Sequence, residues 1–422
     1  MTTNEAHSTH SGDTRREFLG KAGLAAAATG VVAAGLAKPA QARPPAGGRD
    51  VLVVLYMRGG MDGVSICVPY GDAELYNRRP TIAIKPPGQT DGATNLDGFF
   101  GLAPAALPLL APYNAGQLLF VHAVGSTDPS RSHFDAQKFM EQGNPNQPGP
   151  IATGWAARHL ASTVPAGSGL LRGVALDYML PRALAGAPAT LPIADLADFR
   201  MPGAGATNLA RRRTLSAMFH QQGGELGATT VKTFQAIDLL GSVSFSGYVP
   251  ANGASYPLSL WGDRLASVAA LIKADLGVEV IEVDLHGWDK HSNIGSISGE
   301  QAHLSNQLAQ GLNALWTDLG VQNNRVTTLV MSEFGRRADE NGNLGVDHGH
   351  GGMMMLMGGN VTGGRVFSQW PGMGLPQLDN GDLAITTDYR NVIAEVAFKR
   401  LGNANLGALF PNHSPNFHGL VL

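Results

Sequence analysis

The chain has 422 residues, 30 Lys and Arg against 33 Asp and Glu, and a formal net charge of −3. A slightly acidic chain is a poor partner for nucleic acid, and 44% hydrophobic with only 15% charged residues describes a protein that fills a core. The 55 Gly and 25 Pro point to long ordered loops, and the single cysteine, Cys67, excludes an internal disulfide and reads as a small buried hydrophobe.

The chain begins with a polar stretch leading to Thr14-Arg15-Arg16-Glu17-Phe18-Leu19-Gly20-Lys21, then an Ala/Gly/Val run from Ala22 to Ala37. That run has no polar face and is shorter than the ~20 residues that span a bilayer comfortably. With the small-x-small site Ala40-Gln41-Ala42 it reads as a signal peptide cleaved after Ala42. Arg15-Arg16 with Phe18-Leu19 resembles the twin-arginine consensus. The resemblance implies export of a folded precursor through the twin-arginine translocase, a mature protein in the periplasm or outside the cell, and a cofactor loaded before export. Loss of residues 1–42 removes four positive charges (Arg15, Arg16, Lys21, Lys38) and three negative ones (Glu5, Asp13, Glu17), which takes the net charge from −3 to −4. No transmembrane anchor is expected in the mature chain.

Beyond the signal, residues 43–422 are expected to form one α/β domain. Four apolar runs read as strands: 51–57, 118–124, 278–284 and 326–331. Continuous runs of this kind fit parallel strands covered on both faces. Helical spacing of apolar residues over 258–275, 300–318 and 388–401, and a helical segment from about Ser132 to Gln142, alternate with them. The order predicts a doubly wound, mostly parallel sheet with helices on both faces. Residues 178–256, rich in Pro, Gly and Ala with a basic helix near Arg211-Arg212-Arg213, read as a loop-rich insertion or cap.

Ligands of open α/β sheets collect at the carboxyl ends of the strands, and each candidate strand here ends in reactive residues. After the first comes Asp62 among Gly59, Gly60 and Gly63, either a glycine turn with a solvated aspartate or a ligand approached closely by backbone. After the second comes Arg131-Ser132-His133-Phe134-Asp135, where Ser132 is placed to cap a helix or to act as a nucleophile, and Arg131 to bind an oxyanion. The third ends in Asp284-Leu285-His286-Gly287-Trp288-Asp289-Lys290-His291, two carboxylates and two imidazoles within eight residues, donors that suit a divalent cation. The fourth leads to Ser332-Glu333-Phe334-Gly335-Arg336, then to Asp347-His348-Gly349-His350 between glycines. Five of the 13 histidines, His133, His286, His291, His348 and His350, fall in these clusters.

In this order Leu55-Tyr56-Met57-Arg58-Gly59-Gly60-Met61-Asp62-Gly63, Ser130-Arg131-Ser132-His133-Phe134-Asp135-Ala136-Gln137, Gly287-Trp288-Asp289-Lys290-His291, Ser332-Glu333-Phe334-Gly335-Arg336, Val346-Asp347-His348-Gly349 and Thr387-Asp388-Tyr389-Arg390 resemble the exported bacterial family of unknown function DUF1501. The resemblance implies an alkaline phosphatase/sulfatase-like fold, with divalent ions at the carboxyl end of the sheet and ester transfer through a Ser, Thr or modified Cys. Carried over, Asp62 resembles the first-strand metal aspartate and Ser132 the nucleophile. Asp289 and His291 resemble the aspartate-histidine pair of one ion at a tighter spacing, and Glu333-Phe334 stands where adjacent Asp and His are usual. Asp347 and His348 resemble the final ligand segment, with His350 in reserve. The ligand set expected on this basis is Asp62, Asp289, His291, Glu333, Asp347 and His348, for one or two Zn, Ca, Mg or Mn ions. Ser132 is then the nucleophile, with Arg131 and Arg336 neutralising charge. The implied function is metal-dependent hydrolysis of a phosphate or sulfate ester of a small anionic or glycan-like substrate; the alternative is a non-catalytic envelope protein binding a glycan or anionic ligand.

Overall fold

The computed structural model describes residues 50–146, 151–165, 169–199, 205–221 and 224–422; the export signal expected at 1–42 lies outside the described residues. The first strand, β1 (Val51–Arg58), is followed by β2 (Leu118–Gly125), α1 (His133–Gln142), α2 (Trp155–Ser162), β3 (Gly173–Ala175) and β4 (Thr190–Pro192). Then come α3 (Gly205–Gln221), α4 (Gly224–Gly241), α5 (Leu260–Ala274), β5 (Val280–His286), α6 (Glu300–Leu319) and β6 (Val326–Met331). The chain continues with β7 (Gly352–Met357), β8 (Arg365–Phe367), β9 (Thr387–Asp388) and α7 (Tyr389–Lys399).

These strands form one nine-stranded sheet in the order β8-β2-β7-β6-β1-β5-β3-β4, with β9 beside β2. Every pairing is parallel except the two made by β7. The two faces of β1 show why its sequence is uniformly apolar. Val51, Val53, Leu55 and Met57 pack into one hydrophobic cluster with Leu265 of α5 and Leu308 of α6, while Leu52, Val54 and Tyr56 join another with Trp155 of α2 and Val392 of α7. A strand buried on both sides has no solvent side on which to place polar residues. The fold is therefore mixed α/β with a mostly parallel sheet and helices on both faces, as the apolar runs predict.

The strand pattern does not predict β7. Its sequence, Gly-Met-Met-Met-Leu-Met, lacks the β-branched residues that mark a strand, yet all six residues are buried. Methionine is unbranched and polarizable and fills such an interior as well as Val or Ile does. Since β7 runs antiparallel to β6 and β2, residues 332–351 leave the carboxyl edge of the sheet and return to that same edge. Gly335 makes the return possible: its backbone N donates to the His350 carbonyl, and a Cβ there would stand 1.9 Å from the Gly351 carbonyl oxygen.

Residues 178–256 are less loop-like than expected. They supply the edge strand β4 and, besides the expected basic helix α3, a second helix α4 packed on it. The following segment is tied to α6 by Asp318, which is buried and accepts from the Tyr248 and Tyr256 hydroxyls, the Ala251 backbone N and Lys273.

Two histidines are sealed in this core. His122 on β2 sits against the Cys67 carbonyl, and burial lowers its pKa to about 4; His159 on α2 accepts from Asn403, and burial, then the charge of Arg172, lowers its pKa to about 3. The unfolded chain binds a proton at each near pH 6.5, whereas the fold does so only near those lower values, so stability is lost as pH falls from 6.5. Each contributes up to about 1.4 kcal/mol per pH unit in that window. Chemical denaturation at pH 7.5, 6 and 5 is expected to show this decline, with a shallower slope for His159→Gln. An equal slope in that variant contradicts a neutral buried His159.

Candidate metal centre

The carboxyl edge brings together side chains from three loops. His133 is the first residue of α1, Asp289 and His291 lie in the loop after β5, and His348 lies in the return toward β7. His348 Nε2 is 3.0 Å from His133 Nε2 and 3.0 Å from His291 Nε2. One oxygen, Asp289 Oδ1, stands 2.8 Å from His291 Nε2, 3.0 Å from His348 Nε2 and 3.3 Å from His133 Nε2. The approach of the first loop to this point depends on Gly59, whose φ is +116° and where a Cβ would meet the Asp289 backbone N at 2.5 Å.

The far side of each ring is committed to an acceptor. His133 Nδ1 is 2.7 Å from Glu333 Oε1, His291 Nδ1 is 2.8 Å from Asp347 Oδ1, and His348 Nδ1 is 2.8 Å from the Arg131 carbonyl. A carbonyl or an ionised carboxylate only accepts, so each Nδ1 carries a proton, and a ring that gives up its Nε2 proton to a cation presents that nitrogen's lone pair to the centre. Lone pairs on facing nitrogens 3.0 Å apart do not bond to each other. Donors about 2 Å from one cation in a tetrahedron stand about 3.3 Å apart, close to the 2.8 to 3.3 Å separations here. The described residues therefore fit a metal ion by donor type, spacing and orientation, with His133, Asp289 and His348 as one group and His291 against two of its members.

With no ion between them, the imidazoles and carboxylates of the cluster stabilise one another's charges. The hydrogen bond to Glu333 raises the His133 pKa despite partial burial. Burial works against a charge on Glu333, but hydrogen bonds from His133 and Gln137 outweigh it and lower its pKa. Burial likewise opposes the Asp289 charge, and hydrogen bonds from His348, protonated on Nε2 when no ion is bound, and from Arg336 overcome it to hold the carboxyl far below its ordinary range. For Asp347 the hydrogen bond from His291 is the main lowering influence. Asp289 and His291 are half exposed, so the centre opens to solvent on one side.

Of the six expected ligands, the structure brings Asp289, His291 and His348 together and adds His133. The other three stand elsewhere. Asp62 is buried against Arg79, whose Nη1 lies 2.7 Å from its Oδ2, and Ser65 donates to the same oxygen. Glu333 is buried, and its Oε1 already accepts from the Gly59 backbone N, His133 and Gln137, so it acts behind His133. Asp347, which also accepts from Asn341, acts behind His291. His350, held in reserve, turns both ring nitrogens to Asp379 and the Ser126 carbonyl. The signal that marks His133 is its place at the start of the helix after β2, in a motif rich in other candidates.

The expected catalytic groups are also constrained. Ser132 is the N-cap residue of α1, yet its side chain makes no cap hydrogen bond, and it is exposed. It stands between Arg131, whose carbonyl receives His348, and His133. Arg131 pairs with the buried Asp382 through Nε at 2.7 Å. Arg336 is buried; it donates to the carbonyls of Gly60 and Trp288 and to Asp289 Oδ1 at 3.0 Å, a pattern that holds Asp289 in place and leaves no exposed fork for an anion. A second group, Asp177, Asp284 and His286, also has ligand atoms within 4.8 Å of one another. There Arg58 already binds Asp284 at 2.9 Å and Arg264 binds Asp177 at 3.1 Å, so guanidinium groups supply the positive charge.

No curated protein matches the chain. Among solved structures it is similar to the C-terminal periplasmic domain of EcEptC from Escherichia coli in complex with Zn, at 10% identity over 77% of each chain and a TM-score of 0.33. A protein in the alkaline phosphatase superfamily from Vibrio parahaemolyticus matches at 10% identity over 84% of this chain and 72% of that one, with a TM-score of 0.35. The lipoteichoic acid synthase LtaP from Listeria monocytogenes matches at 8% identity over 81% and 74%, with a TM-score of 0.30. Likeness at this level says nothing about activity. Residues 266–395, which bear Asp289, His291, Glu333, Asp347 and His348, match the family described as "Protein of unknown function (DUF1501)", the family that the motifs resemble.

Proposed function

We propose that this chain is an exported metal-dependent hydrolase of a phosphate or sulfate ester. The observation that carries the reading is the convergence of three imidazole Nε2 atoms on Asp289 Oδ1 at an edge of the sheet open to solvent. An open position favours a reacting centre over a closed structural one. Two nitrogens and one carboxylate oxygen, with a third imidazole against two of them, suit Zn or Mn better than Mg or Ca, which prefer oxygen shells. One ion is proposed, because the second candidate group is already balanced by arginines. When bound, it would polarise the ester and lower the pKa of an attacking hydroxyl or water.

The chain's own residues supply the remaining parts. Glu333 and Asp347 keep the protons of His133 and His291 on Nδ1, and Arg336 fixes the Asp289 carboxylate. Ser132, whose hydroxyl the helix does not use as a cap, is the proposed nucleophile toward phosphorus or sulfur. Arg131 positions the loop carrying Ser132 through its pair with Asp382. The twin-arginine motif accords with loading of the ion before export of one α/β domain spanning 43–422, with 178–256 as an elaboration of its edge.

Elemental analysis of protein purified without added metal is expected to find close to one Zn or Mn per chain. His133→Ala and Asp289→Asn are expected to lose it together with turnover on a panel of aryl phosphates, phosphodiesters and aryl sulfates. Ser132→Ala keeps the metal and loses turnover. Full metal occupancy in both ligand variants contradicts the centre; undiminished turnover in Ser132→Ala removes that residue as nucleophile.

Glu333→Gln separates the support from the ligands. It leaves every ligand in place but no longer fixes the His133 proton, so metal affinity is expected to fall by about 10- to 100-fold. Competition with a fluorescent chelator reads this directly, and unchanged affinity contradicts the role given to Glu333.

A further inference from the structure

On the face of the sheet that packs against α1 and α2, one guanidinium serves three carboxylates. Arg58, the last residue of β1, sends Nη1 and Nη2 to the two oxygens of Glu141 at 3.0 Å each and Nε to Asp284 Oδ2 at 2.9 Å. Its Nη2 is also 3.5 Å from Glu282 Oε1, a charge contact without a hydrogen bond. Glu282 is only 2% exposed, and neither of its oxygens has a hydrogen-bond partner among the described residues. Strand register sets the other groups around it. Tyr56 and Arg58 of β1 stand beside Asp284 and His286 of β5, Ala175 of β3 stands beside Glu282, and Glu141 approaches from α1. At the outer end Arg264 pairs with Asp177, and the exposed His286 lies 4.0 Å from Asp284.

A buried carboxylate that accepts no hydrogen bond is far costlier than the neutral acid. Burial, then the charges of Glu141 and Asp284, push the Glu282 carboxyl well above its ordinary range, and Arg58 offsets them only in part. From this geometry we infer that Glu282 holds a proton at neutral pH, which leaves Arg58 wholly to Glu141 and Asp284 and so fixes α1 on the sheet. An ionised Glu282 would compete with Glu141 for Nη2. Glu141 lies in the last turn of the helix whose first residue is His133 and whose N-cap is Ser132. The Arg58 carbonyl accepts from Trp288 N, next to Asp289. Arg58 thus tethers both the helix that begins at His133 and the loop that carries Asp289, and Glu282 acts through it. Both are positioning residues, and the inference stands on the ionic cluster whether or not the chain is a hydrolase.

Glu282→Gln keeps the shape of the neutral acid and cannot ionise. The infrared spectrum of the purified protein at pH 7.5, minus that of this variant, is expected to show one protonated-carboxyl C=O band. The fold then binds one proton more than the unfolded chain, where Glu282 is ionised, so stability falls as pH rises through the alkaline range. Between pH 7.5 and 9 the unfolding constant of the wild-type chain is expected to rise by up to about tenfold per pH unit relative to Glu282→Gln. Glu141→Gln tests the link to α1. It removes a repelling charge and frees Arg58 for Glu282, so the band is expected to fade at lower pH than in the wild-type chain. Hydrogen exchange in residues 133–142 is expected to be several-fold faster in that variant at pH 7.5. The proposal is overturned if the band is absent at pH 7.5 or if the wild-type chain and Glu282→Gln lose stability in parallel. It is equally overturned if Glu141→Gln leaves either the titration of the band or the protection of α1 unchanged.

Discussion

Imidazole nitrogens held 3.0 Å apart need a proton or a cation between them, and the convergence of three such rings on one carboxylate is the feature on which the carboxyl edge of this sheet depends. His133, His291 and His348 come from three loops separated by up to 215 residues, yet their Nε2 atoms meet around one oxygen of Asp289. Nothing in the packing of a hydrophobic core produces such an arrangement. The acceptors behind the rings determine it: Glu333, Asp347 and the Arg131 carbonyl each take an Nδ1 proton and so turn the opposite nitrogen inward.

The fold supplies the rigidity this requires. β1 lies between β5 and β6 with its end in register with theirs, so the loops after all three emerge at one edge. The Gly59 turn after β1 donates its backbone N to Glu333, and the carbonyls of Gly59 and Gly60 receive Arg336. Arg336 then reaches Asp289, so a buried guanidinium links the first loop, the third loop and the carboxylate of the candidate centre. Leaving any member of this network unpaired would strand a buried polar group, which makes the arrangement stiff as well as specific. The glycines after β1 thus serve backbone approach and hydrogen bonding within the protein, while Asp62 beside them balances Arg79.

Much of this was legible in the sequence because it depends on local pattern. Apolar runs buried on both faces marked β1, β2, β5 and β6, and helical spacing marked α5, α6 and α7. The Asp289-Lys290-His291 and Asp347-His348 motifs stood out because chemically costly residues rarely crowd a loop without purpose. What escaped depends on three dimensions. β7 is made of methionines and has no β-branched signature. Whether a carboxylate faces the candidate centre or the back of a histidine is decided by a few ångströms, which spacing does not encode; the sequence therefore points to Glu333 and Asp347 and passes over His133, the first residue of a helix. Asp62 looked like a ligand because its arginine partner lies 17 residues away in the chain.

Diffraction from crystals of the native protein, with data collected on either side of the zinc absorption edge and, if that is silent, the manganese edge, tests whether a cation sits among these histidines. One anomalous peak is expected about 2 Å from His133 Nε2, His348 Nε2 and an Asp289 oxygen, with each Nδ1 still on its present acceptor. An ordered cluster without a peak at either edge, or a peak at Asp177, Asp284 and His286 instead, would contradict it.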